Sequence, residues 1–82
     1  MSPTILRQGG FRFYFFSREE QRPHVHVYGG DGEAKFRLEP TIELAQNYGL
    51  DGPQLRSAEE VIRTHQEAIR AAWHKHFGSR SY

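Results

Sequence analysis

Alternation of apolar and polar positions is densest between residues 24 and 38. His24-Val25-His26-Val27-Tyr28 and Glu33-Ala34-Lys35-Phe36-Arg37-Leu38 flank the segment Gly29-Gly30-Asp31-Gly32. Period-two patterning on both sides of a Gly/Asp-rich loop predicts a β-hairpin. Upstream, residues 4–7 read as a short strand followed by Gly9-Gly10, a pair that tolerates positive φ in a tight turn. Residues 11–17 are rich in aromatics, which suit a pleated, half-buried surface, and read as a second strand. Residues 18–23 are polar and show no period, so they predict a loop. Pro40 interrupts the ladder, and residues 41–45 predict a fifth strand at a sheet edge.

After residue 50 the period changes to that of a helix. Asp51 can cap, Pro53 is tolerated in a first turn, and Gln54 stands three residues after Asp51. Leu55, Ala58, Val61, Ile62, Ala68, Ile69, Ala72 and Trp73 then recur on one side. Opposite them, Arg56, Glu59, Glu60, Arg63, Glu67 and Arg70 form a charged run that predicts a solvated face without a function. Thr64 to Glu67 also fits a capping box, which would break the helix near residue 64. The apolar stripe stays in phase across that point, so one helix over residues 53–77 is the favoured expectation. Gly78 stops it, and residues 79–82 are expected to fray.

These elements make an α+β domain. A four- or five-stranded antiparallel sheet (about 4–7, 11–17, 24–28, 33–38 and 41–45) packs one face on a single C-terminal helix. A chain of 82 residues allows one domain, with an expected ordered core over residues 3–78. It has no room for a large internal cavity, so any site must be a groove or a sheet face.

Eleven Lys+Arg against ten Asp+Glu leave a net charge of +1, too even for bulk electrostatics to signal nucleic-acid binding. Such binding would need a local patch. The absence of cysteine excludes disulfides and thiolate zinc sites. No apolar run approaches the ~20 residues that span a bilayer, and the N-terminus lacks the apolar stretch of a signal peptide. A cytoplasmic protein without a membrane partner is expected.

With the hairpin loop at residues 29–32, Tyr28 pairs with Glu33, His26 with Lys35, and His24 with Arg37. Val25, Val27, Ala34, Phe36 and Leu38 then face the core. The opposite face carries His24, His26, Tyr28, Glu33, Lys35 and Arg37. The two histidines lie roughly 6 to 7 Å apart along the strand. Cations across the ladder would bias each imidazole toward the neutral form that a general base needs. A phosphodiester fits such a face: one His takes a proton, another residue gives one, and Lys35 or Arg37 holds the charge. His24, His26, Lys35 and Arg37 are therefore the candidate catalytic residues for chemistry on RNA or a nucleotide. Tyr28, Glu33, Arg7 and Arg12 are candidate binding residues, the two arginines extending a basic strip if the register brings them to the same side.

Other readings of this face stay open. A one-sided sheet needs a wet outer surface, and these residue types occupy such surfaces without any further role. A non-catalytic binding protein or adaptor could dock a protein on the same groups. A His-x-His metal site is the weakest reading, because Lys35 and Arg37 would repel a cation and only Glu33 offers a third ligand. No metal and no cofactor are expected. The histidines at 65 and 76 fall toward the core side of a continuous helix, and His74 toward solvent. Phe13, Phe15, Trp73 and Phe77 read as core.

Several strings are similar to the domain-of-unknown-function 4160 family. They are Pro3-Thr4-Ile5-Leu6-Arg7, Gly10-Phe11-Arg12-Phe13-Tyr14-Phe15-Phe16-Ser17, Pro23-His24-Val25-His26-Val27, Gly30-Asp31-Gly32-Glu33-Ala34-Lys35-Phe36, Asn47-Tyr48-Gly49 and Ala72-Trp73. The resemblance spans about residues 3–78. It implies a single-domain bacterial protein in the arrangement of a type II toxin–antitoxin pair. This chain would be the toxin, held by a small protein antitoxin from the adjacent gene. The resemblance supplies no reaction and no catalytic residue. Arg22 stands where the family often has a second proline, and Arg37 where an aromatic is common. An exposed edge at residues 4–7 or 41–45 could pair with the antitoxin or with a second copy in a homodimer.

Overall fold

The hairpin forms in the expected register: His24 opposite Arg37, His26 opposite Lys35 and Tyr28 opposite Glu33. A computed structural model describes residues 4–15 and 22–77. In chain order the elements are β1 (Thr4–Gln8), β2 (Phe11–Tyr14), β3 (His24–Tyr28), β4 (Glu33–Arg37), β5 (Glu43–Tyr48), α1 (Gly52–Thr64) and α2 (Gln66–Phe77). The five strands make one antiparallel meander in sequence order, so β1 and β5 are its two edges. β2 ends at Tyr14, short of the expected residue 17. Residues 16–17 of that expected strand, the expected loop at residues 18–21, Gly78 and the tail 79–82 lie outside the described residues, as does Pro3.

Local chemistry accounts for the connections. Gly9 and Gly10 both take positive φ, at 65° and 83°, which a two-residue hairpin turn demands. The ladder between β3 and β4 is extended at its open end by the Leu38 N–H donating to the Pro23 carbonyl at 3.0 Å. Beyond it, the fifth strand starts at residue 43 rather than 41 and runs to 48. Glu39–Pro40 is a cis peptide, and Ile42 is buried in the core before pairing begins. A bulge follows, since Lys35 opposes Gln46 but Phe36 opposes Leu44, leaving Ala45 as the extra residue. Neither the offset nor the bulge has a period that reads out of the sequence.

Asp51 caps α1 as expected. Its carboxylate accepts from the Gln54 N–H at 2.8 Å, and the Gln54 side chain accepts from the Asp51 N–H at 2.9 Å. The helix then breaks at His65, so the expectation of one continuous helix is corrected. His65 has ψ near 21°, outside the helical range, although its N–H still donates to the Val61 carbonyl at 3.0 Å. Its ring nitrogen Nε2 contacts Gln8 Oε1 of β1 at 3.0 Å, and the Gln66 amide donates to the Arg63 carbonyl at 3.1 Å. Ala68, in phase for an unbroken helix, consequently lies exposed, and so does His76, while Ile69 and Trp73 are buried.

The core lies between one sheet face and both helices. Phe11, Phe13, Phe15, Val25, Val27, Ala34, Phe36 and Leu38 meet Ala58, Ile62, Ile69 and Trp73, with Phe77 partly buried against them. The charged helix side is not simply solvated. Arg63 donates to the Ile42 carbonyl at 3.2 Å, and Arg70 donates to the Leu38 carbonyl and faces Glu39 at 4.0 Å. These arginines tie the helices to the strand ends that Pro40 leaves without ladder partners.

Candidate anion-binding face

The alternation that buries Val25, Val27, Ala34 and Phe36 turns the intervening side chains to the other side of the sheet. Three cross-strand rows result. Arg7, Arg12, Tyr28, Glu33 and Tyr48 form one; Thr4, Tyr14, His26, Lys35 and Gln46 the next; His24, Arg37 and Glu43 the third. All eight candidate residues share this face, Arg7 and Arg12 included, because the β1–β2 register pairs them directly. Among the described residues no helix is long and apolar enough to cross a membrane.

Depth differs along the face. Tyr28 is half exposed, Lys35 and His26 are intermediate, and Glu33 and Arg37 are exposed. His24 is only 2% exposed. It is therefore not part of a wet outer surface, although it keeps the expected strand register. Its Nδ1 lies 2.9 Å from the Arg22 carbonyl. A carbonyl can only accept, so the contact places a proton on Nδ1 and makes Nε2 the basic nitrogen of the neutral ring.

A chain of ring contacts runs from this face to the core. The Arg12 guanidinium sits 4.6 Å from the Tyr14 ring centre, and Tyr14 stacks on His26 at 5.3 Å and 22°. His26 meets His24 edge-on at 5.2 Å, and His24 packs on Trp73 at 5.2 Å. Tyr14 also donates its hydroxyl to Glu33 at 3.1 Å, and Arg12 donates to the Thr4 hydroxyl at 2.7 Å. Tyr14 is the residue that sequence reasoning missed. Its period-two spacing from Arg12 is the signal that places it on this face.

The third row and the end of the second enclose a cleft of about 320 Å³, lined by Arg22, Pro23, His24, Lys35, Arg37, Ala45 and Gln46. Three cations and an imidazole thus converge on one small cavity, in a chain whose net charge is only +1. Arg37 is held on one side by Glu43 at 3.3 Å, with both groups well exposed, so this pair is loose and exchangeable. Arg22 joins the cleft from outside the hairpin, and the bulge at Ala45 opens its far wall. Such a set suits a phosphate or a comparable anion, whose oxygens accept from guanidinium and ammonium donors. His26 is adjacent to the cleft but does not line it. Arg7, Arg12 and Tyr28 border a separate groove at the opposite end of β3. Among the described residues no three His, Cys, Asp or Glu side chains cluster as a metal site would need.

No curated protein and no solved structure matches the chain. Residues 10–74, well over half of the sequence, match the family described as a domain of unknown function (DUF4160), and the chain belongs to that family.

Proposed function

We propose that this protein is the toxin component of a bacterial type II toxin–antitoxin pair and that it acts on RNA through the cleft at the open end of the β3–β4 hairpin. The observation that supports the chemistry is the convergence of Arg22, Lys35 and Arg37 on a cavity walled by His24. The toxin role rests on the arrangement that the family resemblance implies, with the adjacent small protein as the antitoxin that holds it.

Within this reading the cations seat a backbone phosphate, and His24 acts as general base. The Arg22 carbonyl orients the ring through Nδ1, and Nε2 is the nitrogen that this reading assigns to the proton of a ribose 2′-hydroxyl. The 2′ oxygen then bonds to phosphorus as the bond to the 5′ oxygen breaks. The Lys35 ammonium supplies the proton to that leaving oxygen, while Arg22 and Arg37 hold the extra negative charge. His26, wedged between Tyr14 and His24, positions the His24 ring.

Induced expression of the wild type, His24→Gln and His26→Ala at matched protein levels tests this reading, with growth and total RNA integrity followed together. Wild type should arrest growth and degrade RNA, and His24→Gln should do neither while still binding its antitoxin. Growth arrest with intact RNA would replace cleavage by docking of a protein target on the same face.

A further inference from the structure

At the other end of β3, Arg7, Arg12, Tyr28 and the turns at Gly9-Gly10 and Gly29-Gly30 border a groove of about 750 Å³. It belongs to the same sheet face as the cleft, since Arg7 opposes Arg12 and Arg12 opposes Tyr28. The Tyr28 ring is 50% exposed, and Tyr48, in the same cross-strand row, is 62% exposed. The open Tyr28 ring beside two guanidinium groups offers a stacking surface and phosphate donors together, and Tyr48, two strands beyond Tyr28, adds a second exposed ring further along the row. Arg12 is already ordered, by its bond to Thr4 at 2.7 Å and by the Tyr14 ring beneath it. A side-chain carbon at Gly10 or Gly30 would meet nothing within 4 Å, so the rim stands open at both turns.

We propose that this groove is a second nucleotide subsite, in which a base stacks on Tyr28 and the adjoining phosphate pairs with Arg7 and Arg12, so that the sheet binds a single RNA strand extended from the groove to the cleft. The proposal rests on the reading that the cleft seats an RNA phosphate. Tyr28 lies four positions along the strand from His24, a span of about 13 Å. One nucleotide cannot reach across it, and an oligonucleotide can. Glu33 lies between Tyr28 and Tyr48 in the row. Its carboxylate repels phosphate there, so bases rather than backbone cross that row, and the arginines on one side and the cleft on the other take the phosphates. Stacking on a tyrosine needs an unpaired base, because a duplex hides its ring faces. The occupant is therefore single-stranded.

Fluorescence anisotropy with 2′-O-methyl oligouridylates, which lack the hydroxyl needed for cleavage, tests this directly. The probes are a labelled dinucleotide and a labelled octanucleotide, with an unlabelled RNA duplex as competitor. The wild type should bind the octanucleotide about tenfold more tightly than the dinucleotide, the size of one base stacked on an aromatic ring. Tyr28→Ala and Arg7→Ala should bring the two affinities together, and Tyr28→Phe should keep them apart. Tyr28 and Arg7 are outside the core, so their truncation leaves the fold intact. Equal wild-type affinities for the two lengths, with the dinucleotide bound, would overturn the second subsite alone. No binding of either probe would overturn the cleft reading with it. A duplex that competes as well as a single strand, or a length preference that survives Tyr28→Ala, would also sink the proposal.

Discussion

His24 and Trp73 pack ring against ring, centroids 5.2 Å apart and planes inclined at 53°, with 2% and 1% of their surfaces exposed. A histidine on the polar side of the sheet is thereby joined to the helix on the apolar side. The contact forms at the start of β3, where α2 brings its tryptophan against the histidine. His24 thus has two duties, as a wall of the cationic cleft and as a packing residue.

The packing duty predicts a stability cost. Truncation of His24 to alanine leaves a void beside Trp73 and His26 and strips the Arg22 carbonyl of its donor. Together these should cost about 2–4 kcal/mol, read as a lower urea midpoint at unchanged slope. His24→Gln, which keeps most of the volume and an N–H donor, should cost about half as much or less. A loss below ~0.5 kcal/mol for His24→Ala would show that the ring contact contributes little. It follows that loss of toxicity in His24→Ala alone is no evidence for catalysis.

The hairpin loop carries a sharper contrast. A side-chain carbon added at Gly32 would fall 2.2 Å from the Tyr48 carbonyl oxygen and 2.7 Å from the Gly49 carbonyl carbon. These are backbone atoms that cannot swing aside, and the last turn of β5 would have to move. Gly32→Ala should therefore cost about 3 kcal/mol or more. Gly30→Ala, where the new carbon meets nothing within 4 Å, should change stability by less than ~0.5 kcal/mol. Thermal or urea unfolding of the two variants side by side checks this. Similar costs at both positions would mean that the close approach of Gly32 to β5 is not held in solution.

What the sequence makes legible follows from which interactions are local. The residue pairs across the 29–32 loop read directly, because a period of two on both sides of a short loop leaves one register that buries Val25, Val27 and Phe36 together. The shared face of Arg7, Arg12 and the histidines did not read, since it depends on a two-residue turn at Gly9-Gly10 and on the β2–β3 register that sets Arg12 opposite Tyr28. Alternation assigns a side chain to a face but not to a depth. His24 and Tyr28 have the same polarity pattern, yet one is packed against Trp73 and only 2% exposed while the other is half exposed. The break at His65 was signalled by a capping box but outvoted by the apolar stripe. The contact between His65 and Gln8 joins opposite ends of the chain, and no local pattern encodes it.

Asp51 and Gln54 hold the entry to α1 by two reciprocal bonds. The Gln54 amide also donates to Asp31 at 3.3 Å, which links the cap to the hairpin loop. Asp51→Ala should destabilise the protein by about 1 kcal/mol, and Asp51→Asn by clearly less, because an amide oxygen still accepts at the cap. Hydrogen exchange should show the loss in the first turn of α1, with amides of β3 and β4 following only the global change. A cost spread evenly over the sheet would assign the effect to the fold as a whole and not to the cap.

Arg37 separates binding from stability. Its ion pair with Glu43 joins two exposed side chains at 3.3 Å, and such pairs contribute roughly 0–1 kcal/mol. Arg37→Gln should leave the urea midpoint almost unchanged. In the cleft, however, Arg37 stands with Arg22 and Lys35 around the proposed phosphate seat, and each phosphate contact adds about 0.7 to the slope of log affinity against log salt for a single strand. Arg37→Gln should therefore weaken binding of the 2′-O-methyl octanucleotide at low salt and flatten that slope by about 0.7, so that wild type and variant converge as salt rises. Glu43→Gln, which frees Arg37 from its partner, should act in the opposite direction and strengthen binding at low salt. A parallel slope in Arg37→Gln, or no response to Glu43→Gln, would mean that the guanidinium faces the carboxylate and not the nucleic acid.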